Sequence, residues 1–197
     1  MSQYLRGQKI AVLVANGFSE KDLTLTQKEI LNFGVQIRIV SMDAGLVSSW
    51  NDDDGQESWG LNFASDQVLS RALAVDFDVL LVPGGQRSLD KLKMTAHTRR
   101  FIRGFVEAGK TVIFFHDALE LLAFAECGGG VRVSGPEGVR EMLEVQGAVW
   151  VDDALVQSGA VMSGRCDEDT RGDFTAAVAQ FLMEQASAGA MSQAVAA

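Results

Sequence analysis

The chain has 197 residues, 47% apolar and 22% charged, which is the composition of an ordinary globular domain able to bury a sizeable core. A formal net charge of −9 argues against nucleic acid or an anionic membrane as the main partner. The apolar runs are too short for a membrane span and the first residues lack the apolar stretch of a secretory signal. With two cysteines, too few for a disulfide framework or a thiolate metal site, these features imply a cytoplasmic protein without a metal or cofactor.

In chain order, residues 9–15 are almost wholly apolar and short, as a strand covered on both faces should be. Asn16-Gly17-Phe18 makes a turn, and Ser19 to Asp22 has the pattern of a helix N-cap with an acid at the third position. Leu23, Gln27, Ile30 and Leu31 give that helix its period, and Asn32-Phe33-Gly34 ends it. Val35 to Val40 is a second strand. This βαβ start lacks the glycine pattern of a dinucleotide site.

Residues 43–65 differ in texture. Gly45 to Trp50 and Trp59 to Phe63 read as the two arms of a hairpin, a candidate interface, around a turn at Asn51 to Gly55. The three aspartates of that turn lack calcium-loop spacing and read as solvated. Ser65 to Leu73 is expected to be a short helix. Phe77 to Val82 is a buried strand running into Pro83-Gly84-Gly85, where the glycines make either a tight turn or a backbone donor aimed into a site. Thr98 to Ala108 is an amphipathic helix ended by Gly109.

Val112 to Phe115 is the next strand, and helical spacing resumes at Leu119, Leu121, Leu122 and Phe124. Between them stand His116 and Asp117, at the turn where an α/β enzyme places a nucleophile. A short strand at Val131 to Ser134, a helix over Gly138 to Val145 and a hairpin between Trp150 and Ser163 follow. Asp169 to Gln185 is the closing helix, and the tail from Ala186 (186–197) reads as flexible beyond a single domain of residues 1–185.

Four segments stand in order: Ala15 to Leu23, Asp78 to Gly85, Gly109 to Asp117, and Val161 to Arg165. Together they resemble the ThiJ/PfpI superfamily, which is related to class I glutamine amidotransferases, over roughly residues 8 to 185. The resemblance implies a flavodoxin-like three-layer α/β sandwich with a mostly parallel central sheet. It further implies a homodimer and a small-molecule site at the carboxyl ends of the strands. Family enzymes carry a cysteine, usually followed by histidine and glycine, after the strand that begins with Gly-Lys. Here His116, Asp117 and Ala118 occupy those positions.

By the same resemblance, Asp22 matches the acid that hydrogen-bonds the family cysteine, with Glu20 nearby. The backbone N–H groups of Gly85 and Asp117 match its oxyanion donors. Leu89 stands where protease-like members have a glutamate, with Asp90 next to it. Cys127 lies beyond the helix and does not replace the missing thiol, whereas Cys166 falls near the family's C-terminal turn. The C-terminal domain of large-subunit catalases is similar in lacking the cysteine and in having an Asp-Ala pair like Asp117-Ala118.

Three functional expectations follow. The first is a degenerate member with a binding, chaperone-like or regulatory role and no cysteine chemistry. The second is an enzyme acting on a small carbonyl compound, with His116 and either Glu20 or Asp22 as acid/base groups. A metal site built from His116 and the loop acids is a third and weaker expectation, because His97 has no obvious second ligand nearby.

Overall fold

The computed structural model describes residues 5, 7–51 and 57–195, with side chains described through Ser187. The elements in order are β1 (Lys9–Val14), β2 (Phe18–Ser19), α1 (Glu20–Ile30), β3 (Gln36–Ser41), β4 (Leu46–Asn51), β5 (Ser58–Ala64), β6 (Gln67–Val68) and β7 (Val79–Val82). Then come α2 (Gln86–Lys93), α3 (Ala96–Glu107), β8 (Thr111–Phe115), α4 (Glu120–Phe124), β9 (Arg132–Val133) and α5 (Arg140–Glu144). The chain closes with β10 (Val149–Trp150), β11 (Leu155–Ser158), β12 (Val161–Gly164) and α6 (Arg171–Val195).

Seven strands form the central sheet in the order β11-β12-β8-β7-β1-β3-β6, all parallel except β11, which pairs antiparallel with β12. The expected α/β sandwich is therefore present. Alternation along each buried strand divides the apolar residues between two cores. Ala11, Leu13, Leu80, Val82, Val112 and Phe114 face α2 to α5 on one side. Ile10, Val12, Val14, Leu81, Ile113 and Phe115 face α1 and α6 on the other. Phe115 and Phe174 meet edge to face at 4.8 Å, tying the end of β8 to α6.

From β1 the chain crosses to β3 on one side and later returns to β7 on the other. The loops after β1, β7 and β8 leave adjacent strand ends on one side of the sheet, and a cleft opens among them. That is where the site lies. Among the described residues, no helix is long and apolar enough to cross a membrane.

One expectation needs correction. The segment from Ser65 to Leu73 is not a helix. The Asp66 carboxylate accepts from Ile39 N at 2.7 Å, and Leu69 N donates to Ser41 O at 2.8 Å, which draws Gln67–Val68 into the sheet as the edge strand β6. Pairing along β3 overrides the local helical pattern. Residues Gln86–Lys93 form a helix that the sequence pattern did not announce, because two turns hold too few apolar positions to show a period. The backbone of α6 continues through Val195. An alanine-rich stretch needs little tertiary help to stay helical. Most of the turn at Asn51 to Gly55 lies outside the described residues.

Candidate functional site

Strand β8 is buried throughout and delivers its last carbonyl to a sharp turn at His116, whose φ is +48°. A non-glycine residue in the left-handed region costs about 1 kcal/mol or more. The 3-10 turn from His116 to Leu119 then leads into α4. This is the strained strand-to-helix elbow expected from the sequence, with an imidazole at its apex.

Opposite it lies the loop after β7. Gly85 has φ +111°, and a Cβ there would come within 2.7 Å of Gly17 O and 2.8 Å of Ser19 N. Only glycine fits this close crossing of two loops. Gly84 O accepts from Ser19 N at 2.8 Å, which stitches the loops together. The two readings of the glycine pair prove compatible, since the tight turn is what aims the donors inward.

Those donors already have acceptors. Gly84 N donates to Asp22 Oδ2 at 2.9 Å, and Gly85 N donates to both oxygens of Asp117 at 3.1 and 3.2 Å. The Asp117 side chain therefore occupies one of the two backbone donors expected to serve an oxyanion. Burial raises the Asp117 carboxyl above its ordinary value, with Asp22 and Glu120 adding to the rise; Gly85 and His116 oppose it.

Asp22 is almost fully buried in the first turn of α1 and lines the cleft. Ser19 caps the helix by accepting from Asp22 N at 3.4 Å. The remaining Asp22 oxygen, Oδ1, accepts from Arg171 Nε at 2.9 Å, a buried ion pair that joins α1 to the start of α6. Burial raises the Asp22 carboxyl, against the pull of Arg171 and the Gly84 N–H.

Glu20 is placed elsewhere. Its Oε2 accepts from Ser49 Oγ at 2.5 Å and Leu61 N at 2.6 Å, so it pins the β4–β5 hairpin to α1 and does not line the cleft. His116 likewise bonds neither acid: its Nδ1 accepts from Cys166 N at 3.2 Å, which puts the ring proton on Nε2. Cys166 itself is buried, with Sγ 3.9 Å from Asp22 Oδ1. Burial first, and the Asp22 charge next, push its thiol far above the usual range.

A cleft of about 450 Å³ joins these groups. His116, Asp117, Asp22 and Gly85 line it. Sequence reasoning missed Trp50, Arg87 and Arg171 as cleft residues. The Arg87 guanidinium stacks 3.9 Å from the Trp50 ring centre and pairs with the exposed Glu57 at 3.6 Å. Trp50 and Arg171 reach the cleft from distant segments, so no local spacing could have signalled them. Among the described residues, no group of three or more His, Cys, Asp or Glu side chains has the arrangement of a metal site.

The sequence pattern of the DJ-1/PfpI family matches residues 8–180, which spans the whole sheet and both strand-end loops. The chain belongs to this family. Among relatives in the family, protein/nucleic acid deglycase 2 of Escherichia coli is 26% identical over 163 residues, 82% of this chain and 91% of that one. General stress protein 18 of Bacillus subtilis is 26% identical over 164 residues, 83% and 91% of the two chains. The fold is shared with DJ-1 of Schizosaccharomyces pombe, with a TM-score of 0.71 at 16% identity over 90% of each chain. A ThiJ/PfpI domain protein from Brachyspira murdochii superimposes with a TM-score of 0.75 at 18% identity, covering 91% of this chain and 98% of that one.

Proposed function

We propose that this member of the DJ-1/PfpI family is a small-molecule binding protein that performs no cysteine chemistry. The observation that carries the reading is the bond from Gly85 N to the Asp117 carboxylate. An oxyanion donor stabilises a reaction only if it is free for the charge that develops on the substrate. Here a side chain of the elbow itself takes that donor, and the elbow apex is an imidazole.

The buried thiol does not stand in for the missing nucleophile. Cys166 is held protonated by burial and by the neighbouring Asp22 charge, and a thiol attacks only as thiolate. Cys127 lies beyond α4, outside the cleft, and its thiol is also pushed up, chiefly by burial. The acid/base alternative has less support: His116 makes its hydrogen bond to Cys166 N, Asp22 is committed to Arg171 and Gly84, and Glu20 to the hairpin.

The test is direct. The purified protein is incubated with glyoxal, methylglyoxal or a small ester, and separately with iodoacetamide at neutral pH. The expected result is no turnover and no modification of Cys166 on the time scale of a free thiol. Turnover that is lost on alkylation of Cys166 would overturn the proposal. Turnover abolished by His116→Ala, with both thiols intact, would establish the acid/base alternative.

A further inference from the structure

Among the described residues, the carboxylates of the cleft are Asp22, Glu57 and Asp117, its arginines are Arg87 and Arg171, and His116 stands beside Asp117 at the elbow. Arg171 is committed to Asp22 at 2.9 Å. Arg87 lies over the indole of Trp50 and reaches Glu57 at the rim. The carboxylate left over is Asp117, which among the described residues has no lysine or arginine partner.

Its hydrogen bonding is equally incomplete. A carboxylate has about four acceptor sites, and the two oxygens of Asp117 share a single donor, Gly85 N. Burial, Asp22 and Glu120 disfavour its charge, against the Gly85 N–H and His116, and Glu120 is itself satisfied by Lys93 and Gln86. A partly buried carboxylate with one shared donor has fewer charge-assisted bonds than usually hold such a group.

An anion would fare badly in the same space. It would meet arginines that already have partners, a backbone donor already in use and the Asp117 carboxylate, against one imidazole N–H on His116. A donor-rich cation would complete the set. It would neutralise Asp117 and fill its vacant acceptor sites.

We infer that the cleft takes a small organic cation, with a primary ammonium or guanidinium group of the ligand set against the Asp117 carboxylate. The inference rests on the reading of the cleft as a binding site, and it adds the ligand class. Because binding is measured at equilibrium, turnover in the carbonyl assays would end that reading without deciding the charge preference.

The full chain is titrated with n-butylammonium chloride, sodium butyrate and n-butanol at constant ionic strength. Binding is followed by NMR at the Gly85 backbone amide and the Trp50 indole. The ammonium should give saturable shifts at both positions, with the carboxylate and the alcohol about tenfold weaker or worse. Asp117→Asn, which keeps the shape and an acceptor for Gly85 N, should weaken the ammonium about tenfold, or ~1.4 kcal/mol. Butyrate or butanol binding as well as butylammonium would overturn the inference. So would an Asp117→Asn variant of unchanged affinity, or no saturable shift from butylammonium up to about 100 mM. Should the variant fail to fold, the three probes on the unaltered chain decide the matter by themselves.

Discussion

The two strand-end loops that face each other across the cleft are built on different principles. After β7, Gly84 and Gly85 act through their backbones: one carbonyl accepts from Ser19, and two N–H groups point at carboxylates. After β8, His116 and Asp117 act through their side chains, one toward Cys166 N and the other toward Gly85 N. Both loops leave equally buried strands, so packing does not distinguish them. A backbone site is held in place by the fold and survives almost any change of neighbouring side chain. A side-chain site is rewritten by single substitutions. The scaffold of the family is therefore intact here, and any change of chemistry at its elbow would come through side chains alone.

The sharpest way to break this contrast is to attack the backbone-defined side. Gly85→Ala would place a Cβ within 3.0 Å of three backbone atoms, in a conformation with φ of +111°. Neither neighbouring loop can yield without opening the crevice. A loss of about 3 kcal/mol in folding free energy is expected, read as a fall in the urea midpoint at unchanged slope. A loss below about 1 kcal/mol would show that the two loops separate easily and that the cleft is softer than its hydrogen bonds imply.

The next largest effect belongs to the ion pair behind the elbow. Arg171→Met removes the cation from Asp22 and leaves a nearly fully buried carboxyl with Gly84 N and the Ser19 cap as its support. Breaking a buried pair costs several kcal/mol when the orphaned charge must stay ionised. Here protonation offers a way out, because burial already raises the Asp22 carboxyl from 3.8. The expected loss is about 2 kcal/mol at neutral pH, shrinking as the pH falls toward the ordinary carboxylate range. Thermal melts across pH measure it, and a loss that does not depend on pH would mean that Arg171 acts by packing alone.

The sheet strands and the elbow were legible in the sequence because buried parallel strands are short, apolar and bounded by glycine-rich turns. The local signals failed where long-range contacts decide. Asp66 and Leu69 are recruited by β3, so a segment with a helical pattern becomes an edge strand. Helix α2 is too short to declare itself. Of the two acids in the first turn of α1, Asp22 and Glu20 looked interchangeable as site residues. Their roles separate only in space, since residues two apart on a helix point in different directions. Glu20 turns to Ser49 and Leu61, whereas Asp22 turns to Gly84 and Arg171. Arg171 lies 149 positions from Asp22, and no spacing rule spans that distance.

The smallest effect tests the side-chain-defined loop through its protonation. Burial raises the Asp117 carboxyl above 3.8 in the folded protein. Between the unfolded and folded values the native state therefore holds more protons than the unfolded chain, and this group's contribution to stability falls as pH rises through that window. Asp117→Asn removes the titration while keeping an acceptor for Gly85 N. The variant should melt higher than the unaltered chain at pH 7, and the gap should close as the pH falls below 3.8. A variant that melts lower at pH 7 would instead mean that the charged carboxylate strengthens its hold on Gly85 N by more than its burial costs. The donor would then be locked by a favourable internal ligand, and an incoming cation would have to bind Asp117 without loosening that bond.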